Sequence, residues 1–206
     1  AYYGYGTMGL TPLKNKVDVS ISCWEWKMGE SKAGKFSGAR CKISKWIRID
    51  SRSQPMQAKS AANYSNAALA RVEALKAGYD EAIMLNNKGH VAEGSAENIF
   101  VIKNGRITTP PLSADILNGI TRDSAIQMIK ADGKKISEKN ITVNNLLSAD
   151  EIFMTGTAAE VKSVTLVNRT RIGSGKIGPI TKELQSSFMD VVMGKNKKFL
   201  TWLKFL

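Results

Sequence analysis

The chain is poor in the residues that most often bind transition metals. Its 206 residues include one histidine, His90, and two cysteines, Cys23 and Cys41. A single histidine excludes a metal cluster that depends on histidines, and it leaves none to spare for a catalytic triad. Two cysteines in a chain of this length do not make a disulfide framework, so we expect free thiols and a cytoplasmic location.

Long apolar runs are also missing. No run of about eighteen apolar residues occurs, so the sequence predicts no membrane-spanning helix. The first ten residues, AYYGYGTMGL, have neither the basic start nor the apolar segment of a secretory signal. The hydrophobic fraction of 43% is nevertheless enough for a substantial core, and we expect a folded protein.

Acidic residues are scarce relative to basic ones, and the formal net charge is +12. A charge of this sign is typical of proteins that bind nucleic acid. The lysines are scattered through every segment, however, and aromatic residues are not interleaved with them as a base-stacking surface requires. We therefore expect no nucleic-acid partner. An anionic small-molecule ligand, or solubility alone, accounts for the charge as well.

Hydrophobic periodicity predicts a mixture of hairpins and helices. Alternating segments predict strands at 17–23, 41–49, 81–85, 90–92, 98–103, 106–108, 151–154 and 161–167. Helix-forming runs predict helices at 63–77, 121–131, 141–149 and 179–193. The C-terminal KKFLTWLKFL predicts a docked or partner-facing helix. No strand–helix unit repeats, so we expect an α+β domain with an antiparallel-rich, barrel-like sheet and surrounding helices.

A glycine-rich segment near the N-terminus, GYGTMG at residues 4–9, fits the dinucleotide pattern G-x-G-x-x-G. That pattern binds a nucleotide where it closes a strand and opens a helix. Almost no chain precedes it here, and the LTP that follows is not typical of a helix start. We interpret the segment as a glycine-rich turn between strands.

The most informative segment is VAEGSAENIF at residues 91–100. Glu93 and Glu97 lie four residues apart, on either side of Gly-Ser-Ala, and an apolar run from Ile99 to Ile102 follows at once. An unpaired carboxylate is costly to bury, so each acid is expected to have a fixed cationic or hydrogen-bonding partner. Solvated hairpin charges are the alternative interpretation of this segment taken alone.

Three other short segments favour the buried interpretation. Lys59 lies among small residues in AKSAANY, at the start of a predicted helix. NGITRD, residues 118–123, is a turn that feeds a helix N-terminus, where free backbone N–H groups attract an anion. TGTAAE, residues 155–160, is a small-residue turn between strands that exposes further backbone donors. A reactive lysine, a buried acid and two phosphate-type cradles are the parts needed to hold pyridoxal phosphate.

In this order, the four motifs resemble those of the class IV aminotransferases, which share fold type IV of the pyridoxal-phosphate enzymes. Members carry a lysine followed by small residues and Asn-Tyr, then E-G-x-x-E-N-[IL]-F, G-I-T-R-D and [ST]-G-T-A-A-E. All four occur here at similar spacing, and the resemblance covers residues 40–195. The chain looks most like a branched-chain amino-acid aminotransferase. This implies transfer of the amino group of leucine, isoleucine or valine to 2-oxoglutarate.

The resemblance implies roles for residues around the ring of the cofactor. Lys59 would bind pyridoxal phosphate covalently, and its amine would then act as general base and general acid at the substrate Cα. Glu93 would pair with the pyridine nitrogen and keep it protonated. Tyr64 would form a hydrogen bond with the phenolic oxygen, and Glu97 would orient its neighbours.

The resemblance also implies which residues bind anions. The N–H of Ile120, together with Thr121 and Thr157, would bind the phosphate. The turn at Thr157 and Ala158 would receive the substrate carboxylate. Helix capping and turn formation are the alternative interpretation of the two threonines, and a structural ion pair is the alternative for Glu97.

Members of the family have a preceding small domain, which supplies an arginine for the phosphate and part of the side-chain pocket. We expect residues 1–25 to be a remnant of that domain with its connection, and residues 26–206 to be the large cofactor-binding domain. The loop at residues 24–29 also lacks the tyrosine expected there. Transamination by this chain alone is therefore expected to be weak or absent.

Other functions remain open at this point. D-amino-acid aminotransferases and aminodeoxychorismate lyases share the lysine and the pyridine-pairing acid, although the Glu97-Asn98 pair and TGTAAE favour the branched-chain group. An inactive assembly or binding module that retains the fold, or a basic nucleic-acid binder, is the alternative from another class. The resemblance implies amino-acid and 2-oxo-acid substrates. It also implies a homodimer or higher homo-oligomer, because the family's active sites lie near subunit contacts.

Overall fold

The computed structural model describes residues 2–6, 9–25 and 38–204. The chain divides into two compact units, Ala1–Lys32 and Ala33–Leu206. The boundary predicted after residue 25 lies near this division, and residues 26–37 are outside the described ranges. The assignment of residues 1–25 to a remnant of a small domain stays a prediction.

The described residues of the N-terminal unit form a short pair of strands. β1 (Tyr2–Tyr3) pairs antiparallel with β2 (Val17–Asp18). The strand predicted over 17–23 is too long, because β2 ends at Asp18 while Val19 and Ile21 are exposed. An alternating pattern forms a stable strand where a second layer covers its apolar face, and the described residues of this unit form no such layer.

The glycine-rich segment at residues 4–9 lies between β1 and β2. The amide of Gly4 donates to the carbonyl of Lys16 at 2.7 Å and so continues the pairing of the two strands. The structure of residues 4–6 and 9 agrees with the predicted turn between strands. Residues 7 and 8 lie outside the described ranges.

The larger unit contains the elements that build the site. Its strands are β3 (Ala39–Ile43), β4 (Glu81–Leu85), β5 (Val91–Gly94), β6 (Asn98–Lys103), β7 (Arg106–Thr109), β8 (Ile136–Glu138), β9 (Glu151–Gly156), β10 (Glu160–Val167) and β11 (Thr170–Arg171). Its helices are α1 (Ala61–Lys76), α2 (Ile120–Ala131), α3 (Val143–Leu147) and α4 (Pro179–Val192). Short 3₁₀ turns occur at Leu112–Ala114 and Lys197–Trp202. Within the described ranges, no helix has both the length and the apolar character needed to cross a membrane.

In this part of the chain the strands form one mixed sheet that curls on itself. The strand order is β5-β4-β3-β10-β9-β6-β7-β8, with β11 beside β10. β3 runs parallel to β4 and β10, and β7 runs parallel to β8, while the other pairs are antiparallel. β5, at one edge, also contacts β6, so the sheet curls into a half-barrel. The predicted α+β architecture with an antiparallel-rich, barrel-like sheet is confirmed.

The hairpin predicted at residues 98–108 agrees closely with the structure. β6 and β7 pair antiparallel across Asn104 and Gly105. Their φ angles of 49° and 69° are left-handed, which is the conformation that a two-residue type I′ turn requires. The Asn-Gly pair is therefore sufficient to fix this turn from local sequence.

Two departures from the predicted strands have physical causes. The strand predicted over 41–49 ends at Ile43, because the chain turns towards α1: the Ser44 hydroxyl donates to Glu73 Oε2 at 2.8 Å, and the Lys45 amide donates to the same oxygen at 3.2 Å. β8 was not predicted, since its three residues are too few to show alternation. Its parallel pairing with β7 holds it in the sheet.

The central strands are buried on both faces. On β6, Ile99 and Val101 face one hydrophobic cluster, while Phe100 and Ile102 face a second cluster that α2 and α4 cover. Phe100 stacks on Phe153 of β9 with ring centroids 4.5 Å apart. Because both faces are covered, these strands are continuous apolar runs and not alternating ones.

The C-terminal segment docks on the larger unit, as predicted. Phe199 is buried in the cluster that includes Leu184 and Val191 of α4, and its ring lies 4.4 Å from that of Trp202. The segment forms 3₁₀ turns instead of the predicted α-helix, with a break in the helical backbone at Phe199, where φ is −120°.

Replacing Phe153 by Ala is expected to lower the free energy of unfolding by about 3–5 kcal/mol, because it leaves a cavity against Phe100 in a fully buried region. Urea unfolding followed by tryptophan fluorescence measures the change. Val192→Ala, on the exposed side of α4, is the control, with an expected change below about 1 kcal/mol. Equal losses in the two variants would contradict a core between the sheet and α2 and α4.

Candidate active site

Glu93 lies on β5 and is 5% exposed. Arg48 Nη2 makes an ion pair with Glu93 Oε1 at 2.8 Å. Glu93 Oε2 accepts hydrogen bonds from Asn98 Nδ2 at 3.0 Å and from the Leu117 amide at 3.1 Å. The acid that the sequence predicted to need a fixed partner therefore has three, from three separate parts of the chain.

This pattern leaves Glu93 with one open acceptor position. A carboxylate oxygen accepts about two hydrogen bonds. Oε2 is filled by its two donors, whereas Oε1 has the Arg48 contact alone among the described residues. Glu93 also lines a cleft, so its carboxylate is next to a space that a ligand could enter.

Burial raises the pKa of Glu93 to about 7, because desolvation disfavours the charged carboxylate. The Arg48 guanidinium and the Leu117 amide lower the pKa, Glu97 raises it, and Arg122 lowers it at longer range. The carboxyl is therefore poised to change its charge near neutral pH. A positively charged group at Oε1 would favour the ionised form.

Arg48 was not among the predicted site residues. It lies in the segment after β3, where its amide donates to the carbonyl of Leu85, the last residue of β4, at 2.8 Å. Its side chain is buried, and Nη1 reaches the carbonyl of Asn63 at 3.5 Å, the long end of the hydrogen-bond range. A charged residue between two isoleucines is the local sign of a buried cation, but nothing in the sequence pairs it with Glu93.

The cleft beside Glu93 is open to solvent. The residues that line it come from five segments and are Arg48, Tyr64, Glu93, Ser95, Ala96, Glu97, Asn98 and Leu117. Tyr64 lies in the first turn of α1 and is half-buried. The structure thus brings together two of the predicted residues, Tyr64 and Glu93, with Glu97 beside them.

Lys59 lies just before α1, and its side chain is exposed. It is not among the residues that line the cleft. The loop that carries it is fixed by Asn63, whose Nδ2 donates to the carbonyls of Ala58 at 2.9 Å and Pro55 at 3.3 Å. The lysine therefore projects from a loop whose backbone is held in place.

Ile120 and Thr121 open α2, and the N-cap residue is Gly119. No side chain caps this helix, so its first amides are available at the helix end. Ile120 is exposed and Thr121 is buried. A Cβ on Gly119 would collide with Asn98 Oδ1, so the glycine allows the helix start to approach a residue that bonds to Glu93.

Thr157 and Ala158 are exposed in the turn between β9 and β10. Glu160 closes the turn with a φ of 54°, a left-handed conformation that is uncommon outside glycine. Gly156 lies against the turn that follows β5, where an added Cβ would be 3.4 Å from the carbonyl of Ala96. The predicted turn therefore stands next to the cleft, although Thr157 and Ala158 do not line it.

Glu97 belongs to the turn between β5 and β6, and its Oε2 accepts from the Ala96 amide at 3.1 Å. Burial raises the pKa of Glu97, while the Ala96 amide and the charge of Arg71 lower it. Within the described residues, Arg71 forms its ion pair with Glu81 and not with Glu97. Glu81 also fixes the same turn, because its Oε1 accepts from the Ser95 amide at 3.4 Å. Among the described residues no ion pair of Glu97 is found, and its structural role stays a prediction.

These groups have complementary charges at neighbouring positions. The cleft offers Glu93 as an acceptor for a positively charged N–H. The end of α2 attracts an anion, because its free amides and the helix dipole both favour negative charge. Asn98 contacts both regions, since it bonds to Glu93 and approaches Gly119. The arrangement suits a ligand with a protonated ring nitrogen and an anionic tail.

Comparison with known proteins identifies the family. Residues 3–167 match the family described as Amino-transferase class IV. A probable branched-chain-amino-acid aminotransferase of Aquifex aeolicus (strain VF5) is 49% identical over 167 residues, which are 81% of this chain and 54% of that protein. A branched-chain-amino-acid aminotransferase of Pseudomonas aeruginosa is 41% identical over 201 residues, 98% of this chain and 65% of that protein. The chain thus spans between about half and two thirds of the length of these curated relatives.

Two crystal structures of a branched-chain amino acid aminotransferase from T.th. share the fold. The structure with pyridoxamine 5'-phosphate is 40% identical and has a TM-score of 0.83, covering 88% of this chain and 59% of that one. The structure complexed with N-(5'-phosphopyridoxyl)-L-glutamate is 41% identical and has a TM-score of 0.80, covering 82% and 57%. The resemblance seen in the four motifs is confirmed, and the chain belongs to the class IV aminotransferases.

Proposed function

We propose that this chain carries the pyridoxal-phosphate site of a branched-chain amino-acid aminotransferase, which transfers the amino group of leucine, isoleucine or valine to 2-oxoglutarate. The observation that carries the proposal is the buried Glu93 carboxylate. Arg48, Asn98 and Leu117 hold it beside the cleft, and one acceptor position is unfilled among the described residues. The names of the relatives support the branched-chain substrates.

The residues present fit the cofactor. Glu93 would offer an acceptor to the pyridine N–H, and Tyr64, which lines the same cleft, would offer its hydroxyl to the phenolic oxygen. The amides of Ile120 and Thr121 open α2 without a side-chain cap and suit the phosphate. Thr155 pairs with Asn98 in the sheet, and its buried hydroxyl has no hydrogen-bond partner among the described residues. This hydroxyl is therefore free to form a hydrogen bond with a ligand at the site. The relative that binds pyridoxamine 5'-phosphate supports the same choice.

The chemistry divides between the cofactor and the chain. When bound, pyridoxal phosphate supplies an electron sink that makes the substrate Cα–H acidic. Lys59 would hold the cofactor covalently through Nζ. Once the amino group of the substrate has displaced it, the freed amine would move the proton at the substrate Cα, first as general base and then as general acid. Glu93, in its ionised form, would hold the proton on the pyridine nitrogen, and Tyr64 would orient the ring. Arg48 favours the ionised form of Glu93.

Substrate recognition falls to the turn between β9 and β10. Thr157 and Ala158 are exposed in this turn, which lies next to the cleft. The backbone N–H groups of the turn bind the substrate carboxylate, and Thr157 also contributes to phosphate binding. The relative complexed with N-(5'-phosphopyridoxyl)-L-glutamate supports glutamate and 2-oxoglutarate as one substrate pair. Small-molecule amino acids and 2-oxo acids are the partners that this chemistry requires.

The same proposal includes a homodimer or higher homo-oligomer in the cytoplasm. Leu69, Val72 and Leu75 form a half-exposed apolar stripe along α1, which supports a subunit contact. Cys23 and Cys41 are both free thiols, which supports a reducing compartment.

Borohydride reduction after incubation with pyridoxal phosphate is expected to label Lys59. Peptide mapping by mass spectrometry locates the label and measures its yield. Lys59→Arg should abolish the labelled peptide, whereas Lys88→Arg, in the exposed turn between β4 and β5, should leave the yield at Lys59 unchanged. A label spread evenly over the surface lysines, or absent from Lys59, would be incompatible with the assigned site.

Glu93 should make the stability of the cofactor-free chain fall with rising pH. Its pKa is raised from 4.5 to about 7 in the folded state, so the folded state binds more protons between these values. The contribution is fully present below about pH 4.5 and is lost as the pH rises through about 7, at about 1.4 kcal/mol for each pKa unit. The expected total is therefore up to about 3 kcal/mol.

Urea unfolding of the native chain and of Glu93→Gln across this pH range measures the effect as the difference between the two free energies of unfolding. Glu183→Gln, an exposed acid on α4, is the control and should leave the native pH profile unchanged. Parallel profiles for the native chain and Glu93→Gln would show that Glu93 does not titrate as a buried acid.

A further inference from the structure

Gln57 joins the loop before α1 to the segment before α2. Its Nε2 donates to the carbonyl of Ile116 at 3.0 Å, and its Oε1 accepts from the amide of Asn118 at 3.2 Å. One side-chain amide therefore binds the residues on both sides of Leu117. Neither the sequence motifs nor the mechanism accounts for this residue.

The same segment is bound from its other side by the hairpin that carries the acid. The Leu117 amide donates to Glu93 Oε2 at 3.1 Å, and the Leu117 carbonyl accepts from Asn98 Nδ2 at 2.8 Å. Residues 116–118 are thus held between the loop before α1 and the β5–β6 hairpin. The N-terminus of α2 follows directly, at Ile120.

Lys59 lies two residues after Gln57 in a loop that is otherwise held by Asn63. The chain between Gln57 and Lys59 is short, so the position of Gln57 determines where the lysine stands relative to residues 116–118. Those residues in turn lead into the phosphate-binding end of the site. The Gln57 amide is therefore a direct link between the two ends at which the cofactor would be held.

We propose that Gln57 is a positioning residue that fixes the separation between Lys59 and the N-terminus of α2. The inference rests on the proposed function of the site. A carboxamide suits this role because it carries a donor and an acceptor side by side, whereas a carboxylate has no donor and an ammonium has no acceptor. A ligand with an aldehyde and a phosphate must reach Lys59 and the N-terminus of α2 at the same time. The two hydrogen bonds of Gln57 therefore favour the binding of this ligand over that of the same ligand without the phosphate.

The test compares the rate of Lys59 labelling by pyridoxal phosphate with that by pyridoxal, each trapped with borohydride, in the 206-residue chain. Gln57→Ala is expected to lower the rate with pyridoxal phosphate by about tenfold and to leave the rate with pyridoxal unchanged. The thermal unfolding midpoint checks that the variant remains folded. Gln54→Ala is the matched control, because Gln54 lies in the same loop but is not bonded to residues 116–118.

A second measurement needs no cofactor. Hydrogen exchange at the Leu117 and Asn118 amides should become at least about tenfold faster in Gln57→Ala and stay unchanged in Gln54→Ala. Unchanged exchange in Gln57→Ala, or an unchanged ratio of the two labelling rates, overturns the inference alone. If the native chain labels Lys59 equally with both reagents, or not at all, the proposed function of the site fails and the inference fails with it.

Discussion

The buried ion pair between Glu93 and Arg48 is the constraint on which the rest of the site depends. Either charge alone at this depth would cost several kcal/mol, at roughly 3–5 kcal/mol for removal of one partner from a buried pair. The pair is acceptable because Asn98 and the Leu117 amide satisfy the second carboxylate oxygen. The segment after β3, the β5–β6 hairpin and the segment before α2 must therefore meet at one point.

The fold satisfies this constraint through the curl of the sheet. β5 is at one edge of the sheet in the order of pairing, but it also contacts β6. Both strands of the β5–β6 hairpin, which carries Glu93, are therefore covered. Parallel pairing of β3 with β4 brings the chain after β3 to the end of β4, where the Arg48 amide bonds to Leu85. The arginine thus follows β3 and the acid lies on β5, on opposite sides of β4 in the sheet order. Desolvation and ion pairing act against each other on the same carboxyl.

The parts of the molecule that are local in sequence could be predicted, and the non-local parts could not. The Asn104-Gly105 turn needs only its own two residues, and the positions of Ile120 and Thr121 at a helix start follow from the glycine before them. The strand over 17–23 was predicted too long, because burial by a second layer is not encoded within the segment.

The missed residues of the site make their contacts across long stretches of chain. Gln57 bonds to Ile116 across 59 residues, and Leu117 bonds to Glu93 across 24. No local pattern marks which arginine or glutamine among many will make such a contact, because the sheet order decides it. β3 lies between β4 and β10, an arrangement that the order of elements in the sequence does not reveal.

The sequence separation between Glu93 and each of its partners also has a consequence for folding. Asn98 is five residues away and Leu117 is 24, while the arginine belongs to a different strand pairing. Closing a short loop loses less chain entropy than closing a long one, so contacts between near neighbours form first. The contact with Asn98 therefore costs the least chain entropy of the three, whereas the contacts with Leu117 and Arg48 depend on the order in which the strands pair.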